Sequence, residues 1–463
     1  MAKFVFQASS LDTVKQEYDV VIIGAGGTGL SAALQAHELG ASVAVFEKNE
    51  TLGGNTSKAS SGMNASESLV QYDHGIIDNK EDFFKETLKG GGQLNDKNML
   101  RYFVDHSAVA IDWLKEHDIE LSDLTITGGM SKKRAHRPAS MAPVGGFLVT
   151  GLLKNMEKEN IPVFNKSKVT KLLQDDDKKI VGIEVEGENG TKTVNAKAVI
   201  LASGGFGASQ EIITKYRPDL AGYKTTNQAG ATGDGLLLAE DVDAQLIQMD
   251  FIQVHPTAQT DGDRTFLIGE AVRGEGAILV NKAGKRFVNE LNTRKIVSGA
   301  ITDLNEDGAY LIFDQGIRDH VKAVEFYDHI GLVVHGESLN ELADKIGVDP
   351  EGLESTVSEW NKDVEAGDDT AFNRTTGMDR GIVKAPYFAI HIHPAIHYTM
   401  GGIHINEDTE VIDSNGNVIS GLYAAGEVSG GLHGNNRIGG NSIAETVVFG
   451  RQAGIQAAKF VRG

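Results

Sequence analysis

The stretch "DVVIIGAGGTGLSAALQAHELGASVAVFEK", residues 19–48, leaves few folds open to the chain that carries it. It reads as an apolar strand from Asp19 to Ile23, a glycine turn, an Ala/Leu-rich helix stopped at Gly40, and a second strand from Ser42 to Glu47. The turn is G-x-G-x-x-G: Gly24 allows the tight bend, Gly26 lets a ligand phosphate approach the backbone, and Gly29 lets helix pack on strand. The first N–H groups of such a helix face that phosphate. Glu47 ends the second strand 23 residues after Gly24, where a carboxylate can accept from ribose hydroxyls. Strand, turn, helix, strand and acid in one register imply a Rossmann-like α/β domain that binds a dinucleotide.

Composition limits what that dinucleotide serves. The chain has 463 residues, enough for two to three domains. Its 44 basic and 64 acidic residues leave a formal charge of -20, unsuited to nucleic acid or an anionic membrane as partner. No apolar run reaches the roughly 18–20 residues that span a bilayer. The opening "MAKFVFQASSLDTVKQEYDV" lacks the basic region, apolar core and cleavage site of a signal peptide, so a cytoplasmic location is expected. With no cysteine, this chain can form no disulfide, no Cys-x-x-Cys-His haem attachment and no cysteine-ligated iron–sulfur cluster. Redox chemistry must then rest on a bound organic cofactor.

Further glycine-rich segments indicate FAD rather than NAD. "LGGNTSKASSGMNAS" (52–66) is suited to presenting backbone groups to an extended ligand. "AKAVILASGGFG" (196–207) is an apolar strand running into a small-residue turn, as where a discontinuous nucleotide domain resumes. "GLYAAGEVSGGLHGNNRIGGNSIAETVVFGRQAG" (421–454) gives a strand, Glu427, glycines and a helix, a return that typically closes over the ribityl chain and pyrimidine end of a flavin.

Together with "NQAGATGDGL", "HPT", "GEAVRGEGAILVNKAGKRFVNELNTR", "HYTMGG" and "HGNNRIGGN", these segments resemble the flavoprotein of the fumarate reductase/succinate dehydrogenase superfamily, in its soluble, flavocytochrome-c-like fumarate reductase branch. The likeness runs from about Glu17 to Phe460. It implies an FAD-binding domain of residues 1–249 and 397–463, an inserted α+β capping domain of 250–396, and substrate held between cap and flavin. It also implies cofactor contacts from Gly24, Gly26, Gly29, Glu47, Gly54, Asn55, Thr56, Ser61, Gly62, Asp234, Glu427, Arg437, Ser442 and Ile443. Membrane-bound relatives attach FAD through a histidine in the "GGNTSKAS" loop. Here Asn55-Thr56-Ser57 stand there, so FAD is expected to be noncovalent.

The reaction that the resemblance implies is reduction of fumarate to succinate, with hydride from flavin N5. Arg294 matches the general acid, and Glu270 and Arg273 match the relay that reprotonates it. An i,i+3 contact between Glu270 and Arg273 is expected. A guanidinium acid requires burial among other cations, and the structural alternative pairs Arg294 with Glu290 or Asp303. His397 and Arg437 match the clamp on one substrate carboxylate, and His255 matches the histidine on the other.

Several departures bear on the substrate. Gly269 stands where many soluble fumarate reductases have threonine, leaving a backbone amide for the second carboxylate. Leu267 replaces a common methionine, Lys295 replaces a usual aspartate, and the "QTDGDRTFL" loop is about two residues long. Urocanate reductases of the branch carry tyrosine and aspartate at the positions of His255 and Glu270, which favours a dicarboxylate here. Alternatives are a reductase of another 2-enoate (acrylate, methacrylate, cinnamate or urocanate type), an L-aspartate oxidase-like enzyme, and a non-catalytic electron carrier. With no second complete G-x-G-x-x-G, the expected electron donor is reduced free flavin or a partner flavoprotein. "HIHPAIH" (His391, His393, His397) reads as a strand with one wet face, and no metal is expected because no carboxylate or cysteine completes a site.

Overall fold

The computed structural model describes residues 4–463, which divide into two compact units. The first comprises Met1–Ala221, Asn227–Ile252 and Tyr398–Gly463. Its centre is an apolar run: β1 (Glu17–Ile23) buries Val20 to Ile23 without a break, as a parallel strand covered on both faces must. The glycine turn leads into α1 (Gly27–Glu38) and β2 (Val43–Phe46), then, further along, β3 (Val163–Phe164) and β4 (Gly190–Leu201). The eight-stranded sheet places strand Val418–Ala424 beside β4, then β1, β2 and β3, with these neighbours parallel. The C-terminal helix Asn441–Arg462 lies against α1. A Cβ on Gly450 would stand 2.7 Å from the Thr28 carbonyl oxygen, so only glycine lets the two helices approach this closely.

The second unit comprises Gly222–Thr226 and Gln253–His397. It opens on β5 (Ile252–Gln259) and continues through β6 (Phe266–Leu267), the short helix α2 (Ala271–Gly274) and β7 (Ile278–Val280). Helix α3 (Arg294–Asp303), β8 (Ala309–Asp314) and the long β9 (Tyr387–Thr399) follow. The sheet order is β6-β5-β9-β8-β7, antiparallel where β8 meets β7 and β9. Its core gathers Leu279, Ile312, Phe313, Phe388, Ile390 and the fully buried Trp360. Residues 222–226 were assigned by sequence to the first domain. They group with the second unit because Thr226 N–H donates to the Ile396 carbonyl and Ile396 N–H to that of Lys224, each at 2.9 Å. Among the described residues, no helix is long and apolar enough to cross a membrane.

Candidate functional site

In the first unit, Gly24 turns off β1 at φ +110°, so close to the returning chain that a Cβ would lie 2.4 Å from the Ala202 carbonyl oxygen. A Cβ on Gly29 would lie 1.9 Å from the Gly24 oxygen, which locks helix against turn. Gly26 differs. A Cβ there would meet nothing nearer than Thr56 Oγ1 at 4.0 Å, leaving open space at the start of α1. Gly26 supplies no side-chain cap, and Gly27 N–H donates to Thr56 Oγ1 at 3.2 Å. A helix N-terminus without a carboxylate cap, open above a glycine turn, is the donor set that a pyrophosphate needs, and these residues fit a dinucleotide.

The surrounding candidates brace this turn. Glu47 accepts from Ala25 N–H at 3.0 Å and from Asn49 N–H at 2.8 Å, so the carboxylate expected on ribose also holds the glycine loop. Asn55, in the turn Gly54–Lys58, accepts from Gln228 N–H at 2.8 Å and donates to Asn227 at 2.6 Å. Ser61 is half-buried, and a Cβ on the following Gly62 would lie 2.5 Å from the His136 carbonyl oxygen. Asp234 starts a short helix beside Lys48, 3.1 Å away. Burial raises its carboxyl, but bonds from Thr232 and Lys48 outweigh that and hold it below the ordinary range. Ser442 and Ile443 form the first turn of the C-terminal helix, again without a side-chain cap.

Glu427 accepts from Thr399 N–H at 3.0 Å and is pushed up to about 7 by burial of its carboxyl, against the pull of Thr399 and Arg437. A folded-state value above the ordinary 4.5 stabilises the fold fully below 4.5, and that contribution is lost as pH rises through about 7. The wild-type melting temperature, relative to Glu427→Gln, is therefore expected to fall between pH 4.5 and 8. Parallel melting curves of the two proteins across that range check this. Arg437, 3% exposed, stacks on Tyr398 with its guanidinium carbon 4.3 Å from the ring centroid. Tyr398 donates to Glu445 at 2.5 Å, and His433 Nε2 lies 2.9 Å from the same carboxylate. Burial, then the charges of Glu445 and Glu427, pushes the Tyr398 phenol well above its ordinary value, so it stays a donor. Sequence reading missed this Tyr398–Glu445–His433 support, although Glu445 sits only three residues past the "RIGGNS" run.

The second unit holds the other candidates. His255, 1% exposed on β5, accepts from Thr257 N–H at Nδ1 (3.2 Å), which leaves Nε2 to carry the ring proton. Its ring lies 5.1 Å from that of His397 at 62°, and His397 Nδ1 is 2.7 Å from Thr226 Oγ1. Arg294 opens α3, capped by Thr293. Its Nη1 donates to Gln253 Oε1 at 3.1 Å and its Nη2 to Glu270 Oε2 at 3.3 Å. The structural alternative for Arg294 fails at Glu290, whose oxygens are taken by Arg286 at 2.8 Å and Arg374 at 3.1 Å. Gln253 was missed, yet it lies two residues before His255, and strand periodicity puts both on one face of β5.

The structure bears on three further sequence expectations. Glu270 forms an ion pair with Arg294, while Arg273 Nη1 donates to the main-chain oxygen of Glu290. Glu270 and Arg273 interact through charge: burial pushes Arg273 down to about 10, aided by Arg294 and Arg374 and opposed by Glu270 and Glu290. Gly269 N–H, the amide expected for a substrate carboxylate, already donates to Tyr327 Oη at 3.0 Å. No local pattern links residues 58 apart, so Tyr327 was invisible in the sequence. The histidine pair on β9 does meet a carboxylate, because the long loop after β5 brings Asp261 to 3.0 Å from His391 Nδ1.

A family model for the FAD binding domain matches residues 19–443. The "Fumarate reductase (cytochrome)" of Shewanella frigidimarina is 42% identical over 455 residues, covering 98% of this chain and 79% of that protein. The chain belongs to this family of FAD-binding fumarate reductases. The open conformation of a flavocytochrome c3 fumarate reductase superposes with a TM-score of 0.83 at 39% identity, over 98% of this chain and 80% of that one. The "NADH:fumarate oxidoreductase" of Klebsiella pneumoniae (strain 342) is 47% identical over 453 residues, and the chain spans about half of its length, 49%. FAD is thus the dinucleotide of this family's fold, and the cradle around Gly24–Gly29, Asn55 and Thr56 suits it.

Proposed function

We propose that this chain reduces fumarate to succinate with noncovalently bound FAD. The observation that carries the reading is the Arg294–Glu270 pair in the unit that also holds the adjacent His255 and His397 rings, in a chain of this family. Met1–Ala221, Asn227–Ile252 and Tyr398–Gly463 would form the FAD-binding domain, and Gly222–Thr226 with Gln253–His397 the cap, which moves 222–226, 250–252 and His397 across the boundaries read from the sequence. Bound reduced FAD supplies a hydride at N5. The chain's own groups do the rest.

His397 and Arg437 bind one carboxylate, and His255 donates from Nε2 to the other, drawing charge away from the double bond. Arg294 gives a proton to the carbon opposite the one that receives hydride, which balances addition of one hydride and one proton across the alkene. Glu270 then returns a proton to Arg294. Its side chain is the more exposed of the pair, 22% against 11%, so the relay has its solvent end there, with Arg273 tuning it by charge.

A second reading, reduction of a monocarboxylate enoate, is favoured by one observation: Tyr327 occupies the Gly269 amide, leaving fewer donors for a second carboxylate. An anaerobic assay with reduced methyl viologen separates the two. Fumarate is expected to give the highest kcat/KM among fumarate, acrylate, methacrylate, cinnamate and urocanate. A higher value for acrylate would move the assignment to the second reading, and no turnover of any would sink both. Electrons are assigned to reduced free flavin or a partner flavoprotein, so NADH alone should bleach the bound flavin slowly. Rapid stoichiometric bleaching under anaerobic conditions would reverse that assignment.

A further inference from the structure

Strand β9 presents His391 and His393 on one face, since residues two apart on a strand point the same way. His391 Nε2 lies 2.6 Å from the main-chain oxygen of Asp307, and His393 Nε2 lies 2.9 Å from the Asp307 carboxylate. Neither oxygen can donate, so each Nε2 carries a ring proton and, in a neutral ring, each Nδ1 keeps a lone pair. That of His391 faces Asp261, and that of His393 accepts from the Thr260 hydroxyl at 3.0 Å with Asp261 beyond it. His391 Nδ1 stands 3.0 and 3.1 Å from its two oxygens, and His393 Nδ1 stands 3.9 Å from the nearer one. The three ligand atoms all lie within 4.8 Å of one another. The facing acceptors His391 Nδ1 and Asp261 repel unless a proton or a metal ion lies between them, and His393 Nδ1 is near enough to share a metal ion.

We propose that Asp261, His391 and His393 bind one divalent transition-metal ion of the Zn²⁺ type within the second unit. Two imidazoles and a carboxylate are a donor set that suits such ions, with water completing the coordination. The bonds from each Nε2 to Asp307 are the outer partners that fix the tautomer and ring orientation of metal-binding histidines. Metal–nitrogen bonds of about 2.0–2.1 Å set tetrahedral ligands about 3.3 Å apart, so the cluster must tighten by up to about 1.5 Å. Asp261 can supply that movement: it sits on a loop with its side chain 45% exposed. The Thr260 hydroxyl, 3.0 Å from His393 Nδ1, occupies that lone pair without metal and moves aside by rotation about one bond. The ion would pin the loop that follows β5 onto β9, and this loop leads through β6 to Gly269 and Glu270.

The test uses the full chain with its flavin, stripped by a chelator, dialysed and titrated calorimetrically with Zn²⁺. One high-affinity ion per chain is expected, above weak background from the other histidines. The double variant His391→Gln/His393→Gln should lose at least about 100-fold in affinity, and Asp307→Asn about 10–100-fold. Tryptic cleavage after the exposed Arg264, in the pinned loop, should slow with Zn²⁺ in the wild type and not in the variants. Asp261→Asn, a change on an exposed loop, serves as the variant should the histidine pair prove necessary for folding. Zn²⁺ affinity and Arg264 cleavage that are the same in wild type and Asp261→Asn would overturn the proposal. The cluster would then be an ion pair between Asp261 and a protonated His391.

Discussion

Arg294→Ala is expected to abolish alkene reduction while leaving FAD content and the melting temperature close to wild type. Loss of one general acid costs about 10²–10⁴-fold in rate, and the loss here should reach the upper end of that range. The reason is burial. The Arg294 side chain is 11% exposed and held from both sides by Gln253 and Glu270, so bulk water replaces it poorly. Stability should change little, because the partner left behind, Glu270, is 22% exposed and can rehydrate. Flavin reduction by dithionite followed by mixing with fumarate reads the two steps separately: the flavin should reduce normally and then fail to reoxidise. Retention of more than about a tenth of wild-type turnover would remove Arg294 from the acid's role. A large fall in melting temperature would instead class it with the structural arginines.

How much of this was legible in the sequence depends on the range of the interaction. The β1–α1–β2 unit was readable because every constraint acts within a few residues: unbroken apolar strands, Gly24 at positive φ and Gly29 under the turn. The glycine loops carried the FAD assignment for the same reason. Arg294, Glu270 and His255 could be named only through resemblance to a family, and their partners followed two different rules. Gln253 was within reach, since it repeats His255 at the strand period. Tyr327, Thr226 and Asp261 were not, because each reaches its partner across a fold-dependent gap of 58, 171 and 130 residues. Asp261 shows the cost of reading a motif in isolation. "HIHPAIH" lacks a carboxylate nearby in sequence, but the sheet order puts β5, whose exit loop carries one, beside β9. Glu270 and Arg273, three residues apart, interact through charge, while the hydrogen bond of Arg273 goes to the Glu290 main chain, a partner that spacing alone does not reveal.

Glu290→Gln is expected to lower the stability of the second unit by about 3–5 kcal/mol, the range for removing one partner from a buried charge network. Four charges balance there: Arg286 and Arg374 against Glu290 and Asp369, with Glu290, Asp369 and Arg374 side chains 0% exposed. Glu290 accepts from Arg286 at 2.8 and 2.9 Å, from Arg374 at 3.1 Å and from Leu279 N–H at 3.2 Å. Both guanidiniums lie 4.6 Å from the ring centroid of Trp360, the largest wholly buried side chain of the core. Burial lowers the Arg374 guanidinium's proton affinity, and Glu290 is the main group that opposes it. A neutral glutamine keeps the shape and removes that support, leaving one net buried positive charge. The damage should reach the site, since Arg374 also donates to the main-chain oxygens of Arg273 and Ala277, at 2.6 and 3.0 Å, and so holds the helix that carries Arg273. For a unit of this size the loss corresponds to a melting decrease of roughly 6–20 °C. Adding Arg374→Met to Glu290→Gln removes the orphaned charge, so the double variant should recover part of the loss, because apolar replacement of a buried pair is often near neutral. A decrease under about 1 kcal/mol for Glu290→Gln, or no recovery in the double variant, would mean that these charges do not hold the unit together and that the Trp360 core alone suffices.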